Sequence, residues 1–375
     1  MTARIGHDAY PTVGRRVDLP STSSGMTGRA LLLTPSRGRG GGIERYAETL
    51  EWAFADQGVN YRRVDLYRRG VLSHARMLAR AREDLRAAKA APTRLVLAHR
   101  SLLPTASLLA REHLVCGISV VCHGSDVWAA GQPVRRGIEN RLMRRSDVRI
   151  VASSSFTAGA LFSDCKATVL APGLSRGWFD MLVDASTQLS VRNSGVQLVT
   201  TFRLGQWRGK GLPELLDAVV AVGRSDIRVT VCGIGEPPQD LQRLVHQHGF
   251  CTLRPGVNDR ELARELAWAD LFVLATRTRG GRHASGEGFG LALLEAQVAG
   301  TPVVAPAFGG SRDAYVDRVT GLAPTDETAG SLAKVLDQLL QDPCQLRQMG
   351  RRAGEWARES FAPELYASQA VARLL

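Results

Sequence analysis

Two glutamates stand eight residues apart in the stretch HASGEGFGLALLEAQVAGTPVVAPAFGG, which runs from His283 to Gly310. Glu287 lies between Gly286 and Gly288, so its carboxylate can reach a polyhydroxylated ligand with no bulky neighbour in the way. Glu295 falls inside the helix predicted over FGLALLEAQVAG, where a carboxylate can accept from both hydroxyls of a ribose. Gly288 and Gly290 allow backbone amides to face phosphate oxygens. Together these residues suit a ligand that carries a ribose, phosphates and further hydroxyls.

Cations for such a ligand stand in TTFRLGQWRGKGLPELLDAV, where Arg203 and Lys210 are seven residues apart. Gly205, Gly209 and Gly211 keep that path open. At a helix N-terminus they would hold a diphosphate, arginine as a planar fork and lysine as a point charge. In VVCHGSDVW, His123 and Asp126 follow an apolar run and offer a donor and an acceptor at hydroxyl-binding spacing. The glycines of SRGRGGGIERYAETL, Gly40, Gly41 and Gly42, let backbone approach a ligand just before a helix that opens at Ile43. Gly233 and Gly235 in CGIGEP form another glycine turn after a strand, while the hydroxyls of ASSSFT read as an N-cap cluster.

Short apolar runs alternating with amphipathic stretches position these loops. Predicted strands over 29–35, 60–66, 93–99, 118–124, 148–154 and 167–173 form one series. The stretch 174–195 shows no clean periodicity. A second series follows over 196–202, 227–233, 250–256, 269–275, 301–306 and 320–324. Two successive βα series predict an α/β protein with two doubly wound, Rossmann-like domains facing each other across a cleft, with ligands off the carboxyl ends of the strands. The expected division is an arm over 1–28, a first domain over 29–185, a second over 186–360, and a C-terminal helix over 361–375 that crosses back to the first domain.

Composition narrows the class. The 375 residues are 44% hydrophobic and 22% charged, ordinary globular material with enough length for two cores. The net charge of +12 favours anionic ligands, and 6% aromatic residues without a recognition module argue against nucleic acid. Six scattered cysteines without a CxxC pair indicate neither a disulfide framework nor a metal site, which makes a reducing cytoplasm the expected location. No apolar run is long enough to span a membrane, and the first 28 residues lack the apolar core of a signal peptide. The basic helix predicted over 74–94 reads as a solvated face, with weak peripheral contact to anionic lipid as the alternative.

The segments GGGIERYAETL, HGSDVW, FRLGQWRGKG, GIGE, EGFGLALLE, AGTPVVA, GGSRDAYVDRVTGL and MGRRAGEWARESF occur in the order seen in one family. The chain resembles the retaining glycosyltransferases of family 4, which have the GT-B fold, over nearly its whole length after residue 28. The loop TRTRGGRHASGEGFG is similar to that of the phosphatidylinositol mannosyltransferase branch, which implies a mobile basic loop.

The resemblance implies a role for each motif residue. Glu295 would bind the ribose, Glu287 the hydroxyls of the transferred sugar, Arg203 and Lys210 the diphosphate, and His123 the sugar or its reacting centre. Gly41 and Gly42 would lie near the donor phosphate and the acceptor. Asp126, Gly233, Gly235, Gly288, Phe289, Gly290 and Leu291 are expected to line the donor. Asp313 stands where many members have glutamate.

The expected reaction moves a hexosyl or N-acetylhexosaminyl unit from a UDP- or GDP-sugar to an acceptor hydroxyl, with retention and through a front-face displacement. No Asp-x-Asp sequence occurs, so no metal or cofactor is expected. The acceptor would be a small molecule or lipid-linked. An epimerase or hydrolase on the same fold, and a nucleotide-sugar-binding protein without turnover, are the alternatives.

Overall fold

The structure, a computed structural model, describes residues 28–35, 41–67, 70–88, 91–128, 133–161, 165–188, 195–280 and 285–375. The expected arm over 1–28, apart from its last residue, and Gly40 therefore lie outside the described residues. So do residues 281–284 of the basic loop, whose flanks are joined by an antiparallel bridge between Arg279 and Ser285.

All twelve predicted strands form. The first series gives β1 (Arg29–Thr34), β2 (Asn60–Asp65), β3 (Thr93–Leu97), β4 (Val115–Cys122), β5 (Val148–Ala152) and β6 (Ala167–Val169). The second gives β7 (Val196–Arg203), β8 (Ile227–Ile234), β9 (Cys251–Pro255), β10 (Leu271–Val273), β11 (Val303–Val304) and β12 (Gly321–Leu322). They make two six-stranded sheets, ordered β2-β1-β3-β4-β5-β6 and β12-β11-β10-β7-β8-β9. Every pairing is parallel; β1, for example, aligns Leu31 with Arg62 on one side and with Leu95 on the other. A parallel sheet is covered by helices on both faces, which explains why RALLLT at β1 is buried at every position instead of alternating.

The strand order fixes where ligands can bind. In the first sheet the chain steps from β1 outward to β2, then returns to the other side of β1 with β3. In the second it steps outward through β8 and β9 and returns beside β7 with β10. Loops leaving the two neighbouring strands at such a switch point diverge to opposite faces and leave a crevice between them. The crevices therefore lie beyond β1 and β3 in one domain, and beyond β7 and β10 in the other.

Packing redraws the expected domain boundary. The stretch 174–195 contains a helix, Arg176–Thr187, whose Trp178, Phe179, Leu182 and Ala185 are buried. Those positions follow the helical repeat, which the intervening acids Asp180 and Asp184 obscure in the sequence. Although it precedes residue 186, this helix packs with Val199, Phe272, Leu293 and Phe361 in the core of the second domain. The last helix, Pro363–Leu374, does the reverse. Its Tyr366, Ala367, Ala370 and Leu374 pack with Ala30, Leu32, Val121 and Val151 of the first domain. The Ser119 hydroxyl of β4 donates to the Leu374 carbonyl at 2.6 Å.

Leu374 is fully buried although it is the penultimate residue. Truncating it to alanine should cost about 2–5 kcal/mol, the usual range for a buried leucine. Urea unfolding followed separately by probes in each domain should show that loss in the first domain, far from the end of the second sheet.

Candidate active site

The two switch points face each other. Gly41, the N-cap of the helix Gly42–Asp56 beyond β1, has φ +92°. A side chain there would strike the Arg203 guanidinium, which comes from the end of β7. The cation expected to hold phosphate therefore lies against the bare first-domain backbone, where a positive helix terminus also points. Leu291 Cδ1 lies 3.8 Å from the position a Cβ would take on Gly42, so this residue of the motif contributes a contact between domains.

On the second-domain side, Lys210 follows β7 and Glu287 follows β10. Lys210 Nζ lies 2.9 Å from Glu287 Oε2, and the Thr276 hydroxyl donates to the same oxygen at 3.2 Å. The crevice between β7 and β10 brings these residues together across 77 positions of sequence. Gly211 has φ +71° and presses on the Ala275 carbonyl, so neither strand-end loop has room for a larger residue there.

At Gly288 the Glu287 loop meets the first domain backbone to backbone. A Cβ on Gly288 would overlap the His123 carbonyl oxygen, and one on Gly124 would lie 2.9 Å from Gly288 Cα. Gly310 N donates to the Glu287 carbonyl at 2.8 Å, and a Cβ on Gly310 would strike the Gly288 carbonyl. Asp313 completes the contact. Its carboxylate accepts from Ser155 N at 2.5 Å and from Ser155 Oγ at 2.7 Å, at the start of the first-domain helix Ser155–Gly159. Of the ASSSFT hydroxyls, Ser154 is the cap, its Oγ accepting from Thr157 N, and Asp313 adds a cap from the opposite domain.

His123 has a defined tautomer. Its Nε2 lies 2.7 Å from the Ala98 carbonyl oxygen, which can only accept, so Nε2 carries the proton and a neutral ring leaves Nδ1 as acceptor. Tyr46 meets the ring edge-on at 4.9 Å, and His99 stacks on it at 6.1 Å. Asp126 differs from the sequence expectation of a donor-lining residue. Its Oδ1 accepts from His123 N at 2.9 Å and Gly124 N at 2.7 Å, so it shapes the histidine loop from within. Its Oδ2 is buried with no hydrogen-bond partner and faces His99 Nε2 at 3.8 Å.

Glu295 is buried, 6% exposed, in the helix Leu291–Val298. Trp178 Nε1 donates to its Oε1 at 3.0 Å, and Arg45 Nε lies 3.5 Å from the same oxygen. Burial raises its pKa, opposed by the Arg45 charge and the indole hydrogen bond.

Four other expected residues take the following places. Phe289 is core, packed with Leu293 and Leu294, its ring 6.0 Å from that of Phe361, because an apolar ring at a glycine-flanked loop base gains more from burial than from the cleft. Gly233 is needed for packing, since a Cβ would meet the Phe202 carbonyl and Leu204. Gly235, at φ +94°, has open space around it in the turn beyond β8. Gly290 caps its helix at φ +91°.

Sequence reading missed Arg45, His99, Trp128, Trp178 and Thr276. Trp128 underlies the glycine loop, with Cζ2 3.6 Å from the Gly286 Cβ position. Arg45 had a signal: a cation near a helix N-terminus opposes the dipole and implies an outside partner. The rest have partners remote in sequence and left no local pattern. None of the six cysteines is joined in a disulfide. Among the described residues no helix is long and apolar enough to cross a membrane.

This pair of facing Rossmann-like domains, with cations and carboxylates at opposed switch points, is the GT-B architecture of glycosyltransferases. Residues 198–356 match the family described as Glycosyl transferases group 1, and the chain is a glycosyltransferase carrying that domain. It is 29% identical over 265 residues to a GDP-mannose-dependent alpha-(1-6)-phosphatidylinositol monomannoside mannosyltransferase of Mycobacterium tuberculosis, covering 68% of each chain. Among solved structures, sucrose-phosphate synthase from Thermosynechococcus elongatus superposes with a TM-score of 0.73 at 18% identity, covering 92% of this chain and 98% of that one. Anabaena HepE in complex with UDP superposes with 0.71 at 16%, covering 92% and 98%.

Two outcomes test this geometry. Gly288→Ala should push the domains apart, read as a larger radius of gyration in solution scattering and a loss of turnover of at least about 100-fold, with both domains still folded. The second concerns His99, whose pKa burial lowers to about 4, against the pull of Asp126. The folded value lies below the ordinary one of about 6.5, so the unfolded chain takes up the proton first. The stability contributed by neutral His99 is full above about pH 6.5 and is lost as pH falls toward about 4. His99→Gln should flatten that part of the urea midpoint against pH curve relative to the parent protein.

Proposed function

We propose that the protein transfers a hexosyl or N-acetylhexosaminyl unit, with retention and without a divalent cation, from a UDP- or GDP-sugar to an acceptor hydroxyl. The observation that carries this reading is the meeting of Lys210 and Glu287 at the second-domain switch point, where Arg203 at the end of β7 lies under Gly41 of the first domain. Lys210 would exchange part of its pairing with Glu287 for the donor's diphosphate. Glu287 would then turn its acceptor oxygens to the sugar hydroxyls.

Arg203, Lys210 and the helix terminus beyond Gly41 would stabilise the charge that grows on the departing diphosphate, the task a metal performs elsewhere. His123, with Nε2–H tied to the Ala98 carbonyl, would accept from a sugar hydroxyl through Nδ1. The leaving phosphate would help take the proton of the acceptor hydroxyl on the same face of the sugar. Closed loops at Gly288 and Asp313 would keep out water that otherwise hydrolyses the donor.

The name of the mycobacterial relative makes GDP-mannose and an inositol lipid the first donor and acceptor to assay, and the HepE complex supports including UDP. A lipid-linked or small-molecule acceptor would enter from the first domain. Six cysteines without a disulfide suit a reducing compartment, and we assign the protein to the cytoplasm.

A panel of UDP-, GDP- and ADP-sugars in a thermal-shift assay tests the reading, because a ligand at 100 times its dissociation constant stabilises by about 2.7 kcal/mol. Glu295→Ala should abolish the shift for every nucleotide. Glu287→Ala should keep the response to the free nucleoside diphosphate and weaken that to the sugar form. Equal losses in both variants would refute this division of roles.

A further inference from the structure

Arg45 belongs to the first domain, yet its side chain is spent on the second. Its Nη2 lies 2.8 Å from Asp259 Oδ1, at the start of the helix Asp259–Trp268. Its Nε approaches Glu295 Oε1 at 3.5 Å, and its guanidinium carbon stands 4.4 Å from the centroid of the Trp178 ring. Trp178 donates to the same Glu295 oxygen at 3.0 Å. Oε1 of the carboxylate thus accepts from the Trp178 indole and is ion-paired with the Arg45 guanidinium, while no protein hydrogen bond falls on Oε2 among the described residues.

From this geometry we propose that Arg45 is a positioning residue for nucleotide binding: it reaches across the cleft, holds Glu295 by one oxygen, and leaves the other turned to the ribose diol. The proposal rests on the reading of Glu295 as the ribose ligand. A carboxylate pinned at one oxygen keeps one rotamer, so the ribose does not have to order it on binding. Planarity matters here. Only the guanidinium fork can stack on the Trp178 ring while its separate nitrogens face Asp259 and Glu295, which a lysine ammonium cannot do.

Arg45 also bears on the charge of Glu295. Burial favours the protonated acid, Asp259 from its own helix pushes the same way, and Arg45 opposes both. The Trp178 indole opposes them too but carries no charge. With Arg45 removed, Glu295 keeps the burial and the Asp259 repulsion and loses its cationic partner. It should then take up a proton at higher pH, and its affinity for hydroxyl donors should fall as the pH falls.

Calorimetric binding of UDP and GDP between pH 8 and pH 5.5 tests this, read as the ratio of variant to parent dissociation constants so that titration of the nucleotide phosphate cancels. Arg45→Ala should weaken binding about tenfold at pH 7.5, with the ratio growing as pH falls. Arg45→Lys should restore a flat ratio through its charge without recovering the full affinity. A melting temperature near that of the parent protein in both variants separates this from misfolding. An Arg45→Ala ratio near one at every pH overturns the proposal. If Glu295→Gln also binds with parental affinity, the ribose reading itself has failed; if Glu295→Gln loses binding while Arg45→Ala does not, only the role of Arg45 has.

Discussion

Between the two domains, the closest approach is made by backbone with nothing on it. Gly288 lies against the carbonyl of His123, Gly124 faces the Gly288 Cα, and a Cβ on Gly310 would meet the Ser154 hydroxyl of the first domain at 2.5 Å. Side chains at these points would hold the sheets some ångströms farther apart. Then Arg203 would no longer lie under Gly41, nor Arg45 reach Glu295. The glycines thus set a distance, and the charged groups are effective because that distance is short. Asp313 reinforces the same seam by capping a helix of the opposite domain.

Charge in the cleft follows a consistent rule. A carboxylate removed from water needs a cation or several donors, or it takes up a proton and stops acting as an acceptor. Glu287 has Lys210 and the Thr276 hydroxyl, and Glu295 has Arg45 and the Trp178 indole. The two pairs differ in what a ligand can do to them. On the proposed roles, Lys210 and Glu287 would each be drawn to a different part of a nucleotide sugar, and that pair would open toward its ligand. Arg45 is tied by Asp259 and by stacking on Trp178, so the second pair is a fixture.

The fold was legible because its information is local. Apolar runs mark most of the strands, the charged NYRRVD of β2 excepted, and the loops after β7 and β10 carry their cations and carboxylates within short motifs. What escaped depends on partners far away in the chain. The helix Arg176–Thr187 is recognisable only from the core it fills, its buried positions being masked by Asp180 and Asp184. Phe289 looks like part of the motif but faces the core, and Asp126 looks like a ligand group but holds its own loop. Arg45 and Trp178 meet Glu295 from 250 and 117 positions away, so no spacing rule applies to them.

The exchange of helices explains how such a site can open without coming apart. Trp178 and the helix bearing Glu295 are fixed in one core, that of the second domain, so their hydrogen bond travels with that domain in any rigid-body motion. Arg45 travels with the first domain, whose core is completed by the last helix, Pro363–Leu374. Separation of the domains therefore breaks the Arg45 contacts and the glycine seam while leaving Lys210, Glu287, Glu295 and Trp178 in place. The half that would grip a nucleotide is preformed, and the first domain adds the restraint on Glu295, the cover of Gly41 over Arg203 and the His123 ring only when it closes. Hinge motion with one rigid half of this kind puts the cost of closure on contacts between domains, several of which are backbone contacts with little side-chain entropy to lose.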